Sequence, residues 1–546
     1  MMARLLVLLF WLNAVLNAHA EQPNSSSAAL IRRDGSLEGL ASLLNDRAVA
    51  ILGSEARELV VEADPGDKGE PHAPGTPLSP DQANRMLAVL AQWLITPPAA
   101  PLNPAIPSPE VDVPPPVDCT DPRYSQILTG VPLKQPRPVV DFVAVGYDLD
   151  ALEVRLVENY AVVDVFVLYE SPRTQHGYAK PLFVREALLS TDRSRFERFL
   201  PKIVHFGASE ADIAGFVEST AAAKKAHDAG QMYDGNALWA LEKQQRTEVI
   251  RRFRKRLGGD QDLRARLGWG DGIGTGTSDM QPWGIQGDED ELITRNSLAH
   301  FRACELKTGV GRAGIYAPCF MFKSSYSWLM KHPGDMPCLA QATHLPGTTV
   351  RTTTELAAFY WRPGPWLWPL SQFLEHNSTL RSPPPRSPQG SSACQDHLGI
   401  GAAVHLSSVS EPAKWLYKQF GAIEGSARVP SELLAALRLR SVTTRLLFDV
   451  AVRPWCSFHY PLTHVSPSPE ERADVASKHW EHTLGQSVPI GDQAVEVVKA
   501  SLPRAVTSSP ERYPFMVPGA VDQNGPNAAV RFTSELGFPK LCVRRQ

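Results

Sequence analysis

The sequence predicts an α/β protein with a mostly parallel central sheet flanked by helices. Two apolar runs, Val139 to Val145 and Val162 to Tyr169, have the continuous hydrophobicity of strands that are buried on both faces. Between them, apolar residues recur at mostly helical spacing from Leu149 to Val157. A strand, a helix and a second strand in this order are typical of parallel α/β sheets.

Further elements follow along the chain. Lys202 to Phe206 is a short third strand, and Leu238 to Leu257 is a long helix. Gly258 to Gly287 is glycine-rich and weakly patterned, so we expect a surface loop. Its Gly272 to Gly276 segment lacks the lysine of a phosphate-binding P-loop. Leu292 to Ala303 has a helical pattern.

Four regions are expected. They are residues 1–20, a targeting segment; 21–118, an N-terminal region that ends in a stem; 137–430, the α/β domain; and 431–546, a C-terminal helical extension packed on that domain. The stem is the proline-rich stretch from Pro97 to Pro116, whose composition favours an extended, semi-rigid spacer. Helices are predicted at Asp81 to Leu94 and Ser431 to Leu439, and an exposed loop at Arg381 to Ser392.

The N-terminus has the pattern of a secretory targeting segment. Arg4 precedes the apolar run Leu5 to Phe10, and Ala18-His19-Ala20 is a small-x-small cleavage sequence. The run is shorter than the roughly 20 residues that span a bilayer. This favours a signal peptide, with a signal-anchor as the alternative. Sequons at Asn24 and Asn377 agree with exposure to the secretory lumen.

Composition narrows the class of protein. With 43% hydrophobic and 21% charged residues, the chain can form a globular core. Its formal net charge of -3 argues against a nucleic-acid-binding protein, which would be strongly basic. The seven cysteines include no C-x-x-C pair, so neither a zinc site nor a redox motif is predicted. In an oxidising compartment some of them would form disulfides.

The strongest candidate for chemistry is the acidic run Asp288-Glu289-Asp290-Glu291. Magnesium and manganese prefer carboxylate oxygens. An Asp-x-Asp pair on one turn can hold such an ion at the carboxyl edge of a sheet, where open α/β sheets bind ligands. The ion would act as a Lewis acid on a leaving diphosphate. The alternative is a solvated acidic loop that caps the following helix.

Several motifs follow one another between about residues 139 and 426. They are YDLDALEVRL at Tyr147–Leu156, VVDVFVLYESPRT at Val162–Thr174, an E-x-x-QR segment with Glu242 and Arg246, a D-x-DE element with Asp288, Asp290 and Glu291, and a stretch with His405, Ser407, Pro412, Tyr417 and Lys418. Together they resemble glycosyltransferase family 17, which contains the β-1,4-mannosyl-glycoprotein 4-β-N-acetylglucosaminyltransferases. The chain departs from the family at Ile293, where the family has proline, and at Val404, where it has tryptophan.

The resemblance implies a GT-A-like nucleotide-diphospho-sugar transferase fold. It also implies an inverting, metal-dependent transfer of N-acetylglucosamine from UDP-N-acetylglucosamine to a mannose of an N-glycan or related glycan. Mn²⁺ or Mg²⁺ would be the cofactor, and the Golgi lumen or membrane the location. The partners would be a nucleotide-sugar donor and a glycan or glycoprotein acceptor. No nucleic acid is expected, and a membrane only through an N-terminal anchor.

Site residues follow from the matched positions. Asp290 and Glu291 would be catalytic, Asp288, Asp290 and His405 would hold the metal, and the donor would be bound by Asp288, Glu170, Asp148, Arg246 and Lys418. Simpler roles remain open for five of them. His405 fits a core histidine, Lys418 a surface lysine, Asp148 a helix N-cap, and Glu170 a helix cap or ion-pair partner. Glu291 would bind metal-bound water or only fix the loop.

Two questions stay open. An inverting transfer needs a general base, for which the candidates are Asp335, Glu355, Asp396 and Glu424. The tryptophans Trp361, Trp366 and Trp368 form either a stacking platform for the acceptor sugar or a core cluster.

An alternative function is a secreted glycan-binding or interaction protein that keeps the fold without catalysis. The strand before Asp288 favours it, because that strand is polar and broken by Pro282 and Gly284. Hydrolase classes are not predicted. His479-Trp480-Glu481-His482 differs from H-E-x-x-H, and no G-x-S-x-G motif occurs.

Overall fold

The computed structural model divides by its internal contacts into two units, Met1–Arg32 and Arg33–Gln546. All residues described below belong to the second unit. They are residues 37–53, 76–108, 111–189, 195–228, 237, 239–269, 281–311, 314–330, 356, 360–361, 364–375, 396–399, 401–409, 412–422, 428–429, 431–444, 446–447, 462–464, 491–513 and 516. The predicted targeting segment, both sequons, the Arg381 to Ser392 loop and the Gly272 to Gly276 segment lie outside these residues.

The strands are spread along the described chain. In chain order they are β1 (Thr76–Pro77), β2 (Leu128–Pro132), β3 (Val139–Val145), β4 (Val165–Glu170), β5 (Ile203–Gly207), β6 (Trp283–Asp288), β7 (Glu291–Ile293), β8 (Cys304–Leu306), β9 (Ile315–Tyr316), β10 (Cys319–Met330), β11 (Tyr360–Trp361), β12 (Trp366–Pro369), β13 (Ala403–Val409), β14 (Arg428–Val429) and β15 (Leu462–His464).

Helices alternate with these strands. They are α1 (Leu37–Leu52), α2 (Pro80–Ile95), α3 (Leu149–Asn159), α4 (Phe183–Leu189), α5 (Glu210–Asp228), α6 (Ala240–Gly259), α7 (Gln261–Arg266), α8 (Arg295–Ala303), α9 (Leu370–Glu375), α10 (Pro412–Gly421), α11 (Ser431–Leu439), α12 (Asp492–Ala500) and α13 (Arg504–Ser508). The predictions for β3 and α11 are confirmed in both bounds, and those for α2, α3, β4, β5 and α6 to within a few residues.

The central sheet has the order β5-β4-β3-β6-β12-β9. Strands β5, β4, β3 and β6 are parallel, β12 is antiparallel to β6, and β9 is antiparallel to β12. From β3 the chain runs outward through β4 and β5, then returns to form β6 on the other side of β3. Open α/β sheets bind ligands outside the carboxyl ends of their strands at such a reversal. The mixed α/β class is therefore as predicted.

One glycine explains why β6 looks degraded in the sequence although it is a regular strand in the structure. Gly284 interrupts the apolar pattern, but it pairs with Val140 of β3 in the parallel ladder. A side chain at this position would begin 3.2 Å from the ring of Phe142 and 3.3 Å from that of Phe373. These rings belong to the core between the sheet and α6, where Phe142 also packs edge-on against Phe253. The glycine thus makes room for aromatic packing within a regular strand.

A second sheet has the order β11-β10-β13-β7, and β15 also pairs with β10. β6 ends at Asp288 in the central sheet, whereas β7 begins at Glu291 in the second sheet. The acidic run is therefore the tight connection between two sheets. The predicted helix starts later than expected, at Arg295, because Glu291 to Ile293 pair with β13. Thr294 caps this helix by accepting a hydrogen bond from the backbone N–H of Ser297.

The N-terminal region is fastened to the α/β domain. Helix α2 begins with a capping box between Ser79 and Gln82 and packs against α10 and α4. The stem was expected to be a spacer, but its Asp112 is buried in ion pairs with Arg295 and Arg504. Just beyond the stem, a disulfide joins Cys119 to Cys304. The ion pairs and the disulfide hold the stem against the domain.

The C-terminal extension also contacts the domain. Helix α13 packs against α3, and Arg512, beyond it, forms an ion pair with the buried Glu153. Among the described helices, none combines the length and apolar character that crossing a bilayer requires.

Candidate functional site

The acidic run lies at the reversal point of the central sheet. Asp288 is level with Ala144 of β3, and Ala144 is level with Tyr169 of β4. Ala144 is the one residue of β3 that is partly exposed, while the rest of the strand is buried. Asp288 therefore lies at the carboxyl edge of the sheet, beside the only partly exposed residue of β3.

A buried arginine supports the acidic run from below. Arg155 of α3 donates hydrogen bonds to the backbone carbonyls of Asp288 and Glu291. The same guanidinium donates to both carboxylate oxygens of Asp141 on β3, at 2.8 and 2.6 Å. Arg155 thereby links β3, α3 and both ends of the turn.

The Asp288 carboxylate faces α6. Arg246 donates from one nitrogen to both Asp288 oxygens, at 2.9 Å each, and also forms an ion pair with Glu242. The Gln175 amide donates in turn to Glu242, at 2.7 Å. The structure thus brings together Asp288 and Arg246, two predicted donor-binding residues, as an ion pair.

The Asp290 carboxylate faces the second sheet. Its nearer oxygen lies 3.6 Å from Nε2 of His405 on β13, and its backbone carbonyl accepts from Leu406 N–H at 2.7 Å. Burial acts to raise the pKa of Asp290, but the charges of His405 and Lys418 outweigh it and hold the pKa below its usual range. The buried Nδ1 of His405 has no hydrogen-bond partner among the described residues. Three predicted site residues therefore converge here.

Glu289, between the two aspartates, was missed in the sequence because an Asp-x-Asp pattern leaves the middle residue undefined. Its Oε1 accepts hydrogen bonds from the backbone N–H groups of Gly146, Tyr147 and Asp148. Burial raises the pKa of Glu289 to about 8, with a further contribution from the Asp290 and Asp288 charges. No signal in the single sequence identifies this contact.

Glu291 is buried beneath the turn. Its Oε2 accepts a hydrogen bond from the backbone N–H of Asp288, at 3.2 Å, and its backbone is level with His405. This hydrogen bond joins the two ends of the turn. The carboxylate thus has a loop-fixing position in this structure, and its catalytic role stays a prediction.

Asp148 and Glu170 have partners within the protein. Asp148 caps α3 by accepting from the Ala151 N–H at 3.0 Å, and its other oxygen forms an ion pair with Lys414. Glu170 accepts from the first N–H groups of α4, those of Val184 and Arg185, and its Oε1 lies 2.6 Å from Nε2 of His205. Both contacts match the capping roles that the sequence left open.

Helix α10 brings three side chains towards this edge. Lys414 forms an ion pair with Asp148, and the positive charge of Lys418 lowers the pKa of Asp290. The ring of Tyr417 lies 5.1 Å from that of Tyr147. The Tyr417 hydroxyl is buried without a hydrogen-bond partner among the described residues, and burial raises its pKa. The helix therefore adds positive charge beside the acidic turn.

The tryptophans and the candidate bases lie as follows. Trp366 and Trp368 are buried in the core, which agrees with the core interpretation, while the side chain of Trp361 is outside the described residues. Asp396 accepts a hydrogen bond from Gly311 N–H at 2.7 Å. The other three candidate bases lie outside the described residues.

The donor atoms for a metal ion are limited. Within the part of the chain that the structure describes, no group of three or more His, Cys, Asp or Glu side chains is arranged to hold an ion. Asp290 and His405, 3.6 Å apart, fit two ligands of one ion, whereas Asp288 is paired with Arg246. Magnesium in phosphate-processing sites commonly uses one or two protein carboxylates and completes its shell with substrate phosphates and water. The residues fit such a site, and the metal stays a prediction.

Known proteins resemble this chain over the segment that contains strands β3, β4 and β5 of the central sheet. Residues 120–228 match the model of glycosyltransferase family 17. The human protein named β-1,4-mannosyl-glycoprotein 4-β-N-acetylglucosaminyltransferase is 36% identical over 86 residues, which are 15% of this chain and 16% of that protein. Its rat counterpart is 35% identical over 86 residues, 15% of each chain. No solved structure matches.

The match confirms the resemblance drawn from Tyr147 to Thr174. The matched segment runs from before β2 to the end of α5 and contains Asp148 and Glu170. The acidic turn lies beyond it. The assignment of that turn therefore depends on its own geometry.

Proposed function

We propose that this protein is a glycosyltransferase with a GT-A-like fold. It transfers N-acetylglucosamine from UDP-N-acetylglucosamine to a mannose of an N-glycan or related glycan, with inversion. One observation carries the proposal. The Asp288–Asp290 turn lies at the reversal point of a parallel sheet whose first half matches family 17. The names of the two relatives support the sugar and the acceptor.

The geometry supports a division of roles around the leaving diphosphate. Asp290 and His405 would hold Mn²⁺ or Mg²⁺, which when bound supplies Lewis-acid stabilisation to the diphosphate. Lys418 adds positive charge on one side of the turn, where charge develops as the bond to the sugar breaks. Arg246, which pairs with Asp288 and Glu242, lies on the other side. Arg155 and Glu291 keep the turn in place. Pre-arranged charges of this kind stabilise a transition state without reorganisation.

The protein is proposed to act in the secretory pathway, in the Golgi lumen or membrane. The Cys119–Cys304 disulfide supports this location, since disulfides persist in oxidising compartments.

A second candidate is a glycan-binding protein that has lost catalysis. Its supporting observation is the pairing of Asp288 with Arg246, which neutralises one of the two aspartates of the motif. UDP binding without turnover of UDP-N-acetylglucosamine in the parent protein would favour this candidate.

The decisive variant is Asp290→Asn. We expect kcat/KM for UDP-N-acetylglucosamine, measured as UDP release with manganese, to fall by at least roughly 10- to 100-fold, because losses of this order already follow when residues that only support a metal ligand are changed. The matched control is Asp262→Asn on the exposed start of α7, which should retain parental activity. Unchanged turnover in Asp290→Asn would contradict the site assignment.

A further inference from the structure

We propose that Glu289 is a positioning residue that ties the acidic turn to the loop after β3 and so keeps Asp288 and Asp290 in register with the sheet edge. This inference rests on the proposed function. It gives a role to the one carboxylate of the turn that the motif leaves unassigned.

The contact is built from three donors that converge on one oxygen. The backbone N–H groups of Gly146, Tyr147 and Asp148 lie 3.0, 3.2 and 3.4 Å from Oε1 of Glu289. Glu289 is only 7% exposed, so water does not replace these bonds readily.

The loop on the other side of the contact is shaped to receive it. A side chain at position 146 would place its first carbon 2.7 Å from Oε1 of Glu289, so any larger residue there would push the Glu289 carboxylate away from its present position. The carbonyl of Gly146 is held by the ammonium group of the buried Lys180, at 2.7 Å. The loop is therefore fixed independently of Glu289 and can act as an anchor.

The other carboxylates of the turn point elsewhere. Asp288 faces Arg246 on α6, and Asp290 faces His405 on β13. Glu289 is thus the side chain of the turn that reaches the loop after β3. A displacement of about 1 Å at such a site can lower a rate by roughly 100-fold. A loosened turn would therefore slow the reaction by displacing Asp288 and Asp290.

Two substitutions separate positioning from charge. In Glu289→Gln the amide oxygen accepts from the same three N–H groups, and we expect kcat/KM for UDP-N-acetylglucosamine within about 3-fold of the parent. Glu289→Ala removes the acceptor, and we expect a loss of roughly 10- to 100-fold with more manganese needed for half-maximal activity. The control Glu496→Ala changes a side chain that is 71% exposed on α12 and should behave as the parent.

A double-mutant cycle tests the contact from both sides. Gly146→Ala alone should also lower kcat/KM, because its methyl group crowds Glu289. In the double variant Gly146→Ala/Glu289→Ala this clash is absent. Its kcat/KM should therefore be no lower than that of Glu289→Ala alone. Independent effects would instead multiply. Circular dichroism and thermal unfolding identify any variant that has lost its fold.

Amide hydrogen exchange tests the contact between Glu289 and the loop without a measurement of turnover. We expect residues 146–148 to lose protection in Glu289→Ala and to keep it in Glu289→Gln. Parental protection and activity in Glu289→Ala, or equal losses in both variants, would overturn the inference. If the parent itself neither binds UDP nor turns over the donor, the proposed function fails, while the exchange result still decides whether Glu289 ties the turn.

Discussion

At the scale of single residues, Arg155 shows how a buried charge shapes the site. Its guanidinium is surrounded by Asp141 and by the carbonyls of Asp288 and Glu291, all beneath the turn. The sequence shows Asp141 only as an interruption of an apolar strand, and Arg155 only as a charge within a helix. Their pairing depends on the packing of α3 against β3.

Replacing Arg155 with methionine should destabilise the protein. Asp141 would remain as a buried, unpaired charge, so we expect a loss of about 3–5 kcal/mol in the free energy of unfolding, measured in urea. The double variant Asp141→Leu/Arg155→Met should recover much of that loss, because no lone charge remains. Arg251→Met is the control, since Arg251 is 58% exposed and its pair with Glu248 should contribute less than about 1 kcal/mol. Equal effects of the two single variants would contradict this account.

The same scale shows why site residues are only partly readable in a sequence. Glu170 is the last residue of β4, and Asp148 caps α3 in the turn that follows β3. Whether such a carboxylate contacts a ligand or caps a helix depends on neighbouring N–H groups and side chains. For Glu170 these include His205, which is distant in sequence.

At the scale of elements, helix α3 is held from two sides. Arg155 faces the turn, whereas Asp150 and Glu153 contact Arg195, and Glu153 also contacts Arg512 from the C-terminal extension. Charged residues on both sides of a buried helix explain why its apolar spacing was only approximate. Because Asp148 caps this helix, its placement also sets the edge of the candidate site.

Removing the C-terminal contact should weaken this helix. For Arg512→Ala we expect a loss of roughly 3 kcal/mol in the free energy of unfolding, at the lower end for a buried pair because Arg195 still contacts Glu153. Arg256→Ala, at a pair whose arginine is 60% exposed, should cost less than about 1 kcal/mol. Unfolding of both variants in guanidinium measures the difference in the free energy of unfolding. If Arg512→Ala lost no more of that free energy than the control, the contact would not stabilise α3.

Elements were predictable where hydrophobic periodicity was strong. β3, α3 and β4 have apolar patterns that are set locally, and the structure matches them closely. β6 was expected only as a degraded strand, and β7 was missed, because Pro282, Gly284 and the acidic residues conceal the pattern. Their strand character comes from pairing with β3 and β13, whose residues are more than a hundred positions away.

At the scale of the whole molecule, distant segments are cross-linked around the α/β domain. The Cys119–Cys304 disulfide spans 185 positions, and Asp112 joins the stem to Arg295 and Arg504. The sequence predicted only that some cysteines would pair, and in the structure Cys119 pairs with Cys304. The partners were not predictable, because pairing requires that two chain segments meet in space.

Loss of the disulfide should lower stability markedly. Closing a loop of this length restricts the unfolded chain, so replacing both cysteines by serine should cost roughly 5 kcal/mol in the free energy of unfolding. Cys119→Ser alone should produce a loss similar to that of the double variant, since either change removes the bond. Unfolding in guanidinium under non-reducing conditions provides the measurement. Stabilities equal to that of the parent would show that the bond does not restrict the unfolded chain.

The sequence by itself determined the β3–α3–β4 segment, the resemblance to family 17 and the position of an acidic run, because each depends on residues that are close along the chain. Tertiary structure alone decided how that run is used. It placed the run between two sheets, paired Asp288 with Arg246 and Asp290 with His405, and turned Glu289 towards the loop after β3. The physical reason is that a carboxylate's role depends on which donors and charges surround it, and here most of them come from distant parts of the chain.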